Sequence, residues 1–248
     1  MFACKISFAC MTLSFLLLRC YSQRRSHDYL VDWRHTGFLT RVKNQSHCGS
    51  CWAQAALAVV EVHLVQCGIV YTPTDLNVRP LLEWNRPLHG CHGGTVREAV
   101  EHMHNYGVYS DVLECTREGA QYKHILPPAL VHGVILERRY SAVISSLLAA
   151  PLIVLVGALK QDFFYYKQGV FDGRCCSSVN HAMVLVGINT FEQYWILRNS
   201  WGENWGETGY MRVSFGAAER CGMFHEITSI ALPCPTQTNG FNPPHYSI

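Results

Sequence analysis

The sequence predicts an α+β protein in which helices dominate the first half of the chain and strands the second. Two early segments, 50–66 and 95–106, have the composition and periodicity of helices. Later segments rich in β-branched and aromatic residues predict strands, and these are 152–156, 181–188, 194–198 and 209–214. This separation of helices from strands favours two subdomains.

Each predicted helix has a defined end. Segment 50–66 contains neither Pro nor Gly, and Gly68 stops it shortly afterwards. Because it is apolar on most sides, it is expected to be a central buried helix. Segment 95–106 ends before Gly107. Its inner face consists of Val96, Ala99, Val100 and Met103.

The composition is that of a globular protein. The 248 residues suffice for a substantial core, and 49% are apolar while 15% are charged. The formal net charge is +2, and Lys and Arg do not cluster into a basic stripe. No nucleic-acid partner is therefore expected, and no metal ion or cofactor is predicted.

The N-terminus and the cysteines indicate the secretory pathway. Lys5 precedes an apolar run over 6–18, which predicts a signal peptide in residues 1–22 or an uncleaved signal anchor. No membrane partner beyond that anchor is expected. Twelve cysteines favour an oxidising compartment, either a lysosome-like or vacuolar organelle or the extracellular space. Residues 235–248 are expected to form a loose tail.

Cys51 is the first candidate for a chemical role. It lies at the N-terminus of the predicted helix 50–66, where unpaired N–H groups and the helix dipole favour an anion. We therefore expect a lowered thiol pKa and a nucleophilic thiolate. Taken alone, Cys51 is better explained as one more disulfide cysteine.

Two residues far downstream change that interpretation. His181 follows Cys51 by 130 residues (181 minus 51) and opens a predicted strand. Asn199 follows within the segment Arg198-Asn-Ser-Trp-Gly202. A lone histidine carries little weight among the 13 in this chain. A cysteine, a histidine and an asparagine in this order and spacing are the pattern of a Cys-His-Asn catalytic triad.

Four sequence blocks resemble the papain family of cysteine proteases, which includes the lysosomal cathepsins, over residues from about Leu30 to Pro233. The blocks are Val31-Asp-Trp-Arg34, Val42-Lys-Asn-Gln-Ser-His-Cys-Gly-Ser-Cys-Trp-Ala53, Gly90-Cys-His-Gly-Gly94 and Tyr194-Trp-Ile-Leu-Arg-Asn-Ser-Trp-Gly-Glu-Asn-Trp-Gly-Glu-Thr-Gly-Tyr210. The resemblance implies a papain-like α+β fold. In that fold a helical left subdomain and a β-barrel-like right subdomain enclose an active-site cleft.

The resemblance implies a role for each residue of the site. Cys51 is the nucleophile, and His181 takes its proton and later protonates the leaving amine. Asn199 orients the imidazole, and Trp201 shields the hydrogen bond between them from water. The side-chain amide of Gln45 and the backbone N–H of Cys51 form the oxyanion hole.

The resemblance also implies where a substrate binds. Gly93 and Gly94 lack side chains, so a substrate strand can pair beside them. Glu226 is expected at the floor of the pocket for the second residue before the cut, where it favours arginine in addition to apolar residues. A shift of one residue in the alignment with the family would instead place His225 at the pocket floor. The other residues expected at the substrate are Gly49, Thr95, Val96, Leu155, Val179, Asn180 and Trp201.

Two disulfides are implied by the resemblance. They are Cys48–Cys91 and Cys175–Cys221, and Cys176 is the rival of Cys175 for the second bridge. The cysteines without an assigned partner are Cys67, Cys115, Cys176 and Cys234.

The implied peptidase domain spans residues 30–234. Its helical subdomain covers about 38–133 and its β subdomain about 134–234. Only a short segment, 23–29, precedes it, whereas relatives carry a long inhibitory prosegment. A propeptide is therefore expected to be missing: the chain is a piece of a longer protein, or it folds without one. The expected partners are peptide and protein substrates and cystatin-type or prosegment inhibitors.

Three functions compete. Peptide-bond hydrolysis is favoured because every catalytic position is present. The first alternative is a non-catalytic papain-like protein that binds peptides or prosegments. The second is a redox or zinc protein built on Cys48-Gly-Ser-Cys51. No βαβ pattern follows that motif, and the adjacent Cys175 and Cys176 are poorly spaced for zinc.

Overall fold

The computed structural model describes residues 30–84, 90–116, 119–176 and 178–234. The signal peptide or anchor expected in 1–22, the segment 23–29 and the tail 235–248 lie outside these residues. Within the described ranges, no helix is both long enough and apolar enough to cross a membrane.

Helices and strands are distributed unevenly along the chain. The helices are α1 (Cys51–Gln66), α2 (Arg79–Trp84), α3 (Val96–Tyr106), α4 (Tyr140–Ala149), α5 (Gln161–Phe164) and α6 (Phe215–Arg220). The strands are β1 (Leu30–Asp32), β2 (Val108–Thr116), β3 (Gly119–Leu126), β4 (His132–Ile135), β5 (Leu152–Val156), β6 (Val170–Phe171), β7 (His181–Asn189), β8 (Tyr194–Arg198), β9 (Tyr210–Ser214) and β10 (Ile227–Ala231).

Helix α1 is the central buried helix that the sequence predicts. Apolar residues surround it, and it packs between the sheet and α3. Its end is fixed by Gly68, whose φ of 66° is a left-handed conformation that favours glycine. The N–H groups of Ile69 and Val70 then turn back to the carbonyl of Leu64. The last carbonyls of α1 are thus partly satisfied within the chain.

Helix α3 begins with a capping box. The Thr95 hydroxyl accepts a hydrogen bond from the Glu98 N–H, and the Glu98 carboxylate accepts one from the Thr95 N–H. These two reciprocal bonds satisfy backbone donors that the first turn leaves unpaired. The helix predicted over 95–106 is therefore confirmed, with Thr95 as its cap.

The large sheet has eight strands. Its hydrogen-bonded order is β4-β10-β5-β7-β8-β9-β6, and β1 pairs with one end of β7. All pairings are antiparallel except that of β6 with β9. Every residue of β7 is buried, which explains its nearly continuous apolar sequence. The catalytic candidate His181 is the first residue of this central strand.

A β-hairpin in the first half was not predicted from the sequence. Strands β2 and β3 pair with each other and form a separate two-stranded sheet. The register shifts twice near Val108 and Tyr109, and polar residues alternate irregularly with apolar ones. The sequence does not predict this hairpin, because an irregular, partly polar hairpin has no clear two-residue period.

The N-terminal end of the described chain is tied to the β half. Strand β1 pairs with β7, and the buried Trp33 donates its indole N–H to the carbonyl of Leu147 at 2.9 Å. Asp32 caps the following turn and holds Arg34 with paired hydrogen bonds. The chain then crosses to the loop before α1.

Candidate active site

The loop before α1 places Cys51 at the first turn of the helix. A disulfide joins Cys48 to Cys91, and the Gly49 N–H donates to the Cys91 carbonyl at 2.7 Å. A Cβ on Gly49 would lie 2.8 Å from that carbonyl oxygen, so only glycine permits this approach. The disulfide and the hydrogen bond to Cys91 thus fix the loop in position. The half-buried thiol of Cys51 lies in the first turn of α1 that follows.

His181 and Asn199 form a buried pair. The Nε2 of His181 lies 2.8 Å from the Oδ1 of Asn199. The same oxygen accepts the backbone N–H of Ser200 at 2.8 Å, which fixes the orientation of the amide group. Because Oδ1 can only accept, Nε2 carries the proton and Nδ1 is left to act as the base.

Trp201 covers this pair. Its ring lies 4.7 Å from the imidazole of His181, with 33° between the ring planes. Phe163, Phe164 and Trp205 pack around Trp201 in turn, with ring centroids between 5.3 and 6.2 Å away. This aromatic cover keeps water from the His181–Asn199 hydrogen bond, which strengthens the bond.

Cys51 meets the strand that begins with His181. The thiol hydrogen-bonds to the backbone N–H of Ala182, the residue after His181. Residues Cys51 and His181 come from different halves of the chain, so their adjacency is a product of the packing of α1 on β7. The Cys51 thiol therefore lies against the start of the strand that carries the buried imidazole of His181.

The expectation of a lowered thiol pKa is wrong for the isolated thiol. Burial raises the pKa of Cys51, and this effect exceeds the lowering by the N–H groups of Ala182 and Trp52. Burial likewise lowers the pKa of His181 to about 4, against the opposing hydrogen bond to Asn199. The sequence argument considered the helix terminus and not the loss of water. Each group alone is uncharged near neutral pH.

Gln45 is held by three hydrogen bonds. Its backbone N–H donates to the Ser200 carbonyl at 2.8 Å, and its Oε1 accepts the Ser200 hydroxyl at 2.5 Å. Its Nε2 donates to the Cys48 carbonyl at 2.9 Å. An amide nitrogen has two hydrogens, so one remains after the bond to the Cys48 carbonyl. Sequence reasoning identified Gln45 but not the supporting Ser200.

A buried ionic cluster lies below the site, and sequence reasoning missed it. Glu61 on α1 is 1% exposed, accepts the Thr40 hydroxyl at 2.5 Å and lies 3.7 Å from the ammonium of Lys43. The guanidinium of Arg198 donates to the Thr40 and Arg41 carbonyls and lowers the pKa of Glu61, which burial raises more strongly. Lys43 also contacts Asp75. Lys43 and Arg198 lie close to Gln45 and Asn199 in sequence, so the cluster joins both of these segments to α1.

The glycine motif borders the same loop. The space beside Gly93 is open, since a Cβ there would have no neighbour within 4 Å. At Gly94 a Cβ would meet the buried indole of Trp52 at 2.5 Å. Gly94 is therefore required by packing against α1, while Gly93 leaves room at the surface.

The candidate specificity residues lie on neighbouring strands. Leu155 pairs with Ala182, and Ile227 pairs with Val154, so Glu226 lies level with Leu155 at the end of β10.

The exposure of the candidate specificity residues differs. Leu155, Val179 and Glu226 are half-buried, as a pocket wall requires, whereas Asn180 and Thr95 are exposed. Val96 is 3% exposed and belongs to the core, so it contributes little surface to a ligand. Asn180 binds the Ala158 N–H through its side chain.

Three disulfides connect the described cysteines. Both bridges implied by the resemblance are present, with Cys175 rather than Cys176 bound to Cys221. The third, Cys67–Cys234, joins two cysteines that had no assigned partner. Among the described cysteine side chains, Cys51 and Cys176 are free thiols. Because Cys48 is bonded to Cys91, a redox pair with Cys51 is not formed.

Comparison with known proteins agrees with this geometry. A family model described as "Papain family cysteine protease" matches residues 29–231. Papain from Carica papaya is 33% identical over 216 residues, covering 82% of this chain and 59% of that protein. Chymopapain, from the same plant, is 33% identical over 217 residues, which cover 82% of this chain and 60% of that protein. The chain thus spans about 60% of the length of these relatives.

Solved structures show the same fold. The bromelain protease from Ananas comosus, in complex with the E64 inhibitor, has a TM-score of 0.69 and 32% identity, covering 82% of this chain and 99% of that one. The Carica candamarcensis cysteine protease CMS1MS2, in complex with E-64, gives a TM-score of 0.69 and 28% identity, covering 82% and 98%.

Proposed function

Because the chain belongs to the papain family of cysteine proteases, we propose that it hydrolyses peptide bonds with Cys51, His181 and Asn199. One observation carries the proposal. The His181 imidazole lies 2.8 Å from the side-chain oxygen of Asn199. His181 is the first residue of β7, and the backbone N–H of the next residue, Ala182, contacts the Cys51 thiol. A nucleophile, a base and an orienting group then meet in one site, which is what cysteine-type acyl transfer requires.

The reaction begins with one proton shared by two groups. Burial opposes charge on either group alone, but transfer from the thiol to Nδ1 of His181 creates two opposite charges in contact, and their attraction offsets part of the desolvation. The thiolate attacks the substrate carbonyl. His181 then protonates the leaving amine, which departs and leaves a thioester on Cys51. Water, deprotonated by the same imidazole, hydrolyses the thioester and restores the pair.

The oxyanion of each tetrahedral intermediate needs hydrogen-bond donors. The backbone N–H of Cys51 and the remaining Nε2 hydrogen of Gln45 supply them. The Ser200 hydroxyl and the Cys48 carbonyl hold that amide in place before substrate arrives. Preorganised donors of this kind are worth about 10²–10³ in rate each.

The substrate is an extended peptide. Its residues before the cut pass over Gly93 and reach the pocket bounded by Leu155, Val179 and Glu226. An apolar wall with a carboxylate floor accepts Phe or Leu, and also Arg through paired charge-assisted hydrogen bonds. Cystatin-type or prosegment inhibitors would occupy the same cleft.

The enzyme is assigned to the secretory pathway. Three disulfides require an oxidising compartment. A KDEL-tailed cysteine endopeptidase from Arabidopsis thaliana, 32% identical over 230 residues, bears in its name a signal of that pathway. A lysosome-like or vacuolar organelle and the extracellular space both fit these observations.

The decisive experiment compares the two free thiols. Turnover of a fluorogenic Phe-Arg dipeptide is measured for the wild type, Cys51→Ala and the matched control Cys176→Ala. Loss of turnover by at least about 10³ is expected for Cys51→Ala alone, since the nucleophile is removed with little change in volume. Retained turnover in folded Cys51→Ala would refute the mechanism. A wild type that binds peptides without cleaving them would support the non-catalytic alternative.

A further inference from the structure

A second cavity lies in the helical half of the molecule and shares no lining residue with the candidate active site. It has a volume of about 400 Å³ and lies between α2, α3 and the hairpin of β2 and β3. We call it the tyrosine cavity. Its volume is in the range of cavities that enclose small organic molecules. Its lining residues are Pro80, His102, Tyr106, Tyr109, Gln121 and Tyr122.

His102 is the unusual residue of the tyrosine cavity. It is 5% exposed, and within the part of the chain that the structure describes neither of its ring nitrogens has a hydrogen-bond partner. Buried polar side chains are normally hydrogen-bonded, because an unpaired group loses its bonds to water without replacement. Burial also lowers the pKa of His102 to about 4, so the imidazole is neutral at pH 7. A neutral imidazole presents one donor and one acceptor, so His102 can bond a group that enters the cavity.

Aromatic rings hold the imidazole of His102 at the cavity wall. The Trp84 ring lies 5.2 Å from the imidazole, and the Tyr106 ring lies 4.9 Å from it. Trp84 and Tyr106 also contact each other, with ring centroids 6.4 Å apart. This cluster restricts the rotation of His102 toward other polar groups.

The hairpin side of the tyrosine cavity is fixed to the end of α3. The Tyr109 hydroxyl donates to the Tyr106 carbonyl at 3.3 Å, and Nε2 of His124 lies 3.2 Å from the same oxygen. The His124 ring meets the Tyr109 ring edge-on at 4.5 Å. These contacts form the cavity before a ligand arrives, which is typical of small-molecule sites.

The lining residues define the chemistry of a ligand. Three of the six are tyrosines, and none of the six carries a charge at pH 7. Ring walls favour a flat aromatic ligand through offset and edge-to-face contacts. A hydroxyl both donates and accepts, so it can pair with His102 in either tautomer. A phenol combines the ring and the hydroxyl, and it is neutral at pH 7 because its pKa is about 10.

We propose that the tyrosine cavity binds a small neutral phenol, a free molecule of one or two rings, whose hydroxyl pairs with the imidazole of His102. The volume of the cavity is sufficient to enclose such a molecule whole. The inference does not depend on the proposed peptidase function, because the two sites share no residue.

The test is a titration at pH 7, followed by fluorine NMR, with two probes. 4-Fluorophenol carries the hydroxyl, and fluorobenzene lacks it. Both are titrated into the wild type, His102→Leu and the matched control His132→Leu, which replaces an exposed histidine of β4. Because the hydroxyl and the imidazole are removed separately and together, the four affinities of the wild type and His102→Leu isolate the hydrogen bond between them.

The wild type is expected to bind 4-fluorophenol about tenfold more tightly than fluorobenzene, because only the phenol pairs with the buried imidazole. His102→Leu should reduce this preference to less than about twofold, and His132→Leu should retain it. A second variant, Tyr106→Ala, removes a ring wall and should weaken both probes by about threefold or more. Its control is Tyr71→Ala, since Tyr71 is 97% exposed, and this change should leave both affinities as they are.

Each result decides for or against the tyrosine cavity. Failure of both probes to bind saturably to the wild type would indicate a cavity that holds only water and would overturn the proposal, as would a hydroxyl preference that His102→Leu retains. Displacement of 4-fluorophenol by N-acetyl-tyrosinamide with higher affinity than the phenol itself would overturn the free molecule in favour of a tyrosyl side chain of a protein. A preference that His102→Leu loses and His132→Leu keeps, with weaker binding in Tyr106→Ala than in Tyr71→Ala, would support the proposal.

Discussion

At the scale of single residues, burial governs the chemistry of the active site. The sequence located the helix terminus at Cys51 and the spacing to His181, but it gave no information on how much water each group loses. The structure places His181 on a fully buried strand, with its pKa lowered to about 4. The helix terminus therefore assists the thiolate only after the proton has moved to the imidazole.

The pH dependence of kcat/KM follows from these shifts. In the proposed mechanism Cys51 and His181 share one proton, so activity is lost on the acid side when the pair takes up a second proton, which leaves a neutral thiol beside a protonated His181. Its pKa of about 4 places the acid midpoint near pH 4, not near the 6.5 of an ordinary histidine. The raised pKa of Cys51 moves the alkaline limb upward. The measurement is kcat/KM for a Phe-Arg substrate between about pH 3 and 10.

The substrate carries Phe, not Arg, as the second residue before the cut. Ionisation of Glu226 therefore does not contribute to the pH dependence of kcat/KM for this substrate. Samples held at the lowest pH and returned to neutrality must recover full activity, which separates titration from unfolding. An acid midpoint near 6.5 would show that the imidazole is hydrated in the working enzyme.

The role of Glu226 is a second residue-scale prediction. Replacing Glu226 with Ala removes the carboxylate that would meet a guanidinium, so the ratio of Arg-Arg to Phe-Arg cleavage should fall by about tenfold to a hundredfold. Glu219→Ala, on the exposed face of α6, is the matched control. An unchanged ratio in Glu226→Ala would mean that another residue forms the pocket floor.

At the scale of elements, the long helix and the buried strands could be predicted because their patterns are strong. Helix α1 and strands β5 and β8 agree with the predicted bounds to within one residue. The hairpin of β2 and β3 was missed because its register shifts and its mixed polarity blur the two-residue period. The Cys67–Cys234 bridge was missed for another reason: its cysteines lie 167 residues apart, and only the tertiary fold brings them together.

The ionic cluster on α1 gives an element-scale prediction. Glu61→Gln keeps the shape of the side chain but leaves Arg198 and Lys43 without the buried negative charge they face. Removing one partner of a buried ion pair typically costs about 3–5 kcal/mol. Urea unfolding should show a loss of about that size, against less than about 0.5 kcal/mol for the exposed control Glu219→Gln. Equal stability of Glu61→Gln and wild type would show that Glu61 is protonated in the folded protein.

At the scale of the whole molecule, the site exists only because distant segments converge. The proposed nucleophile Cys51 comes from the helical half, whereas the proposed base His181 and the orienting amide of Asn199 come from the β half. The Cys67–Cys234 disulfide, the buried ionic cluster and the Gln45–Ser200 bonds connect these two halves. Residue types and spacing were sufficient to identify the triad candidates, but they assigned no role to Arg198 and Ser200 beside Asn199, or to Glu61 within α1. Their importance follows from burial, which requires the fold.

The most direct test of the central claim is to locate a covalent label on the folded enzyme. The epoxide E-64, bound in both solved structures compared above, should react with one thiol per chain and abolish turnover. Peptide mapping without reduction should then find the adduct on Cys51, with Cys176 unlabelled and all three disulfides intact. An adduct on Cys176, or full turnover in a protein whose Cys51 is labelled, would contradict the account.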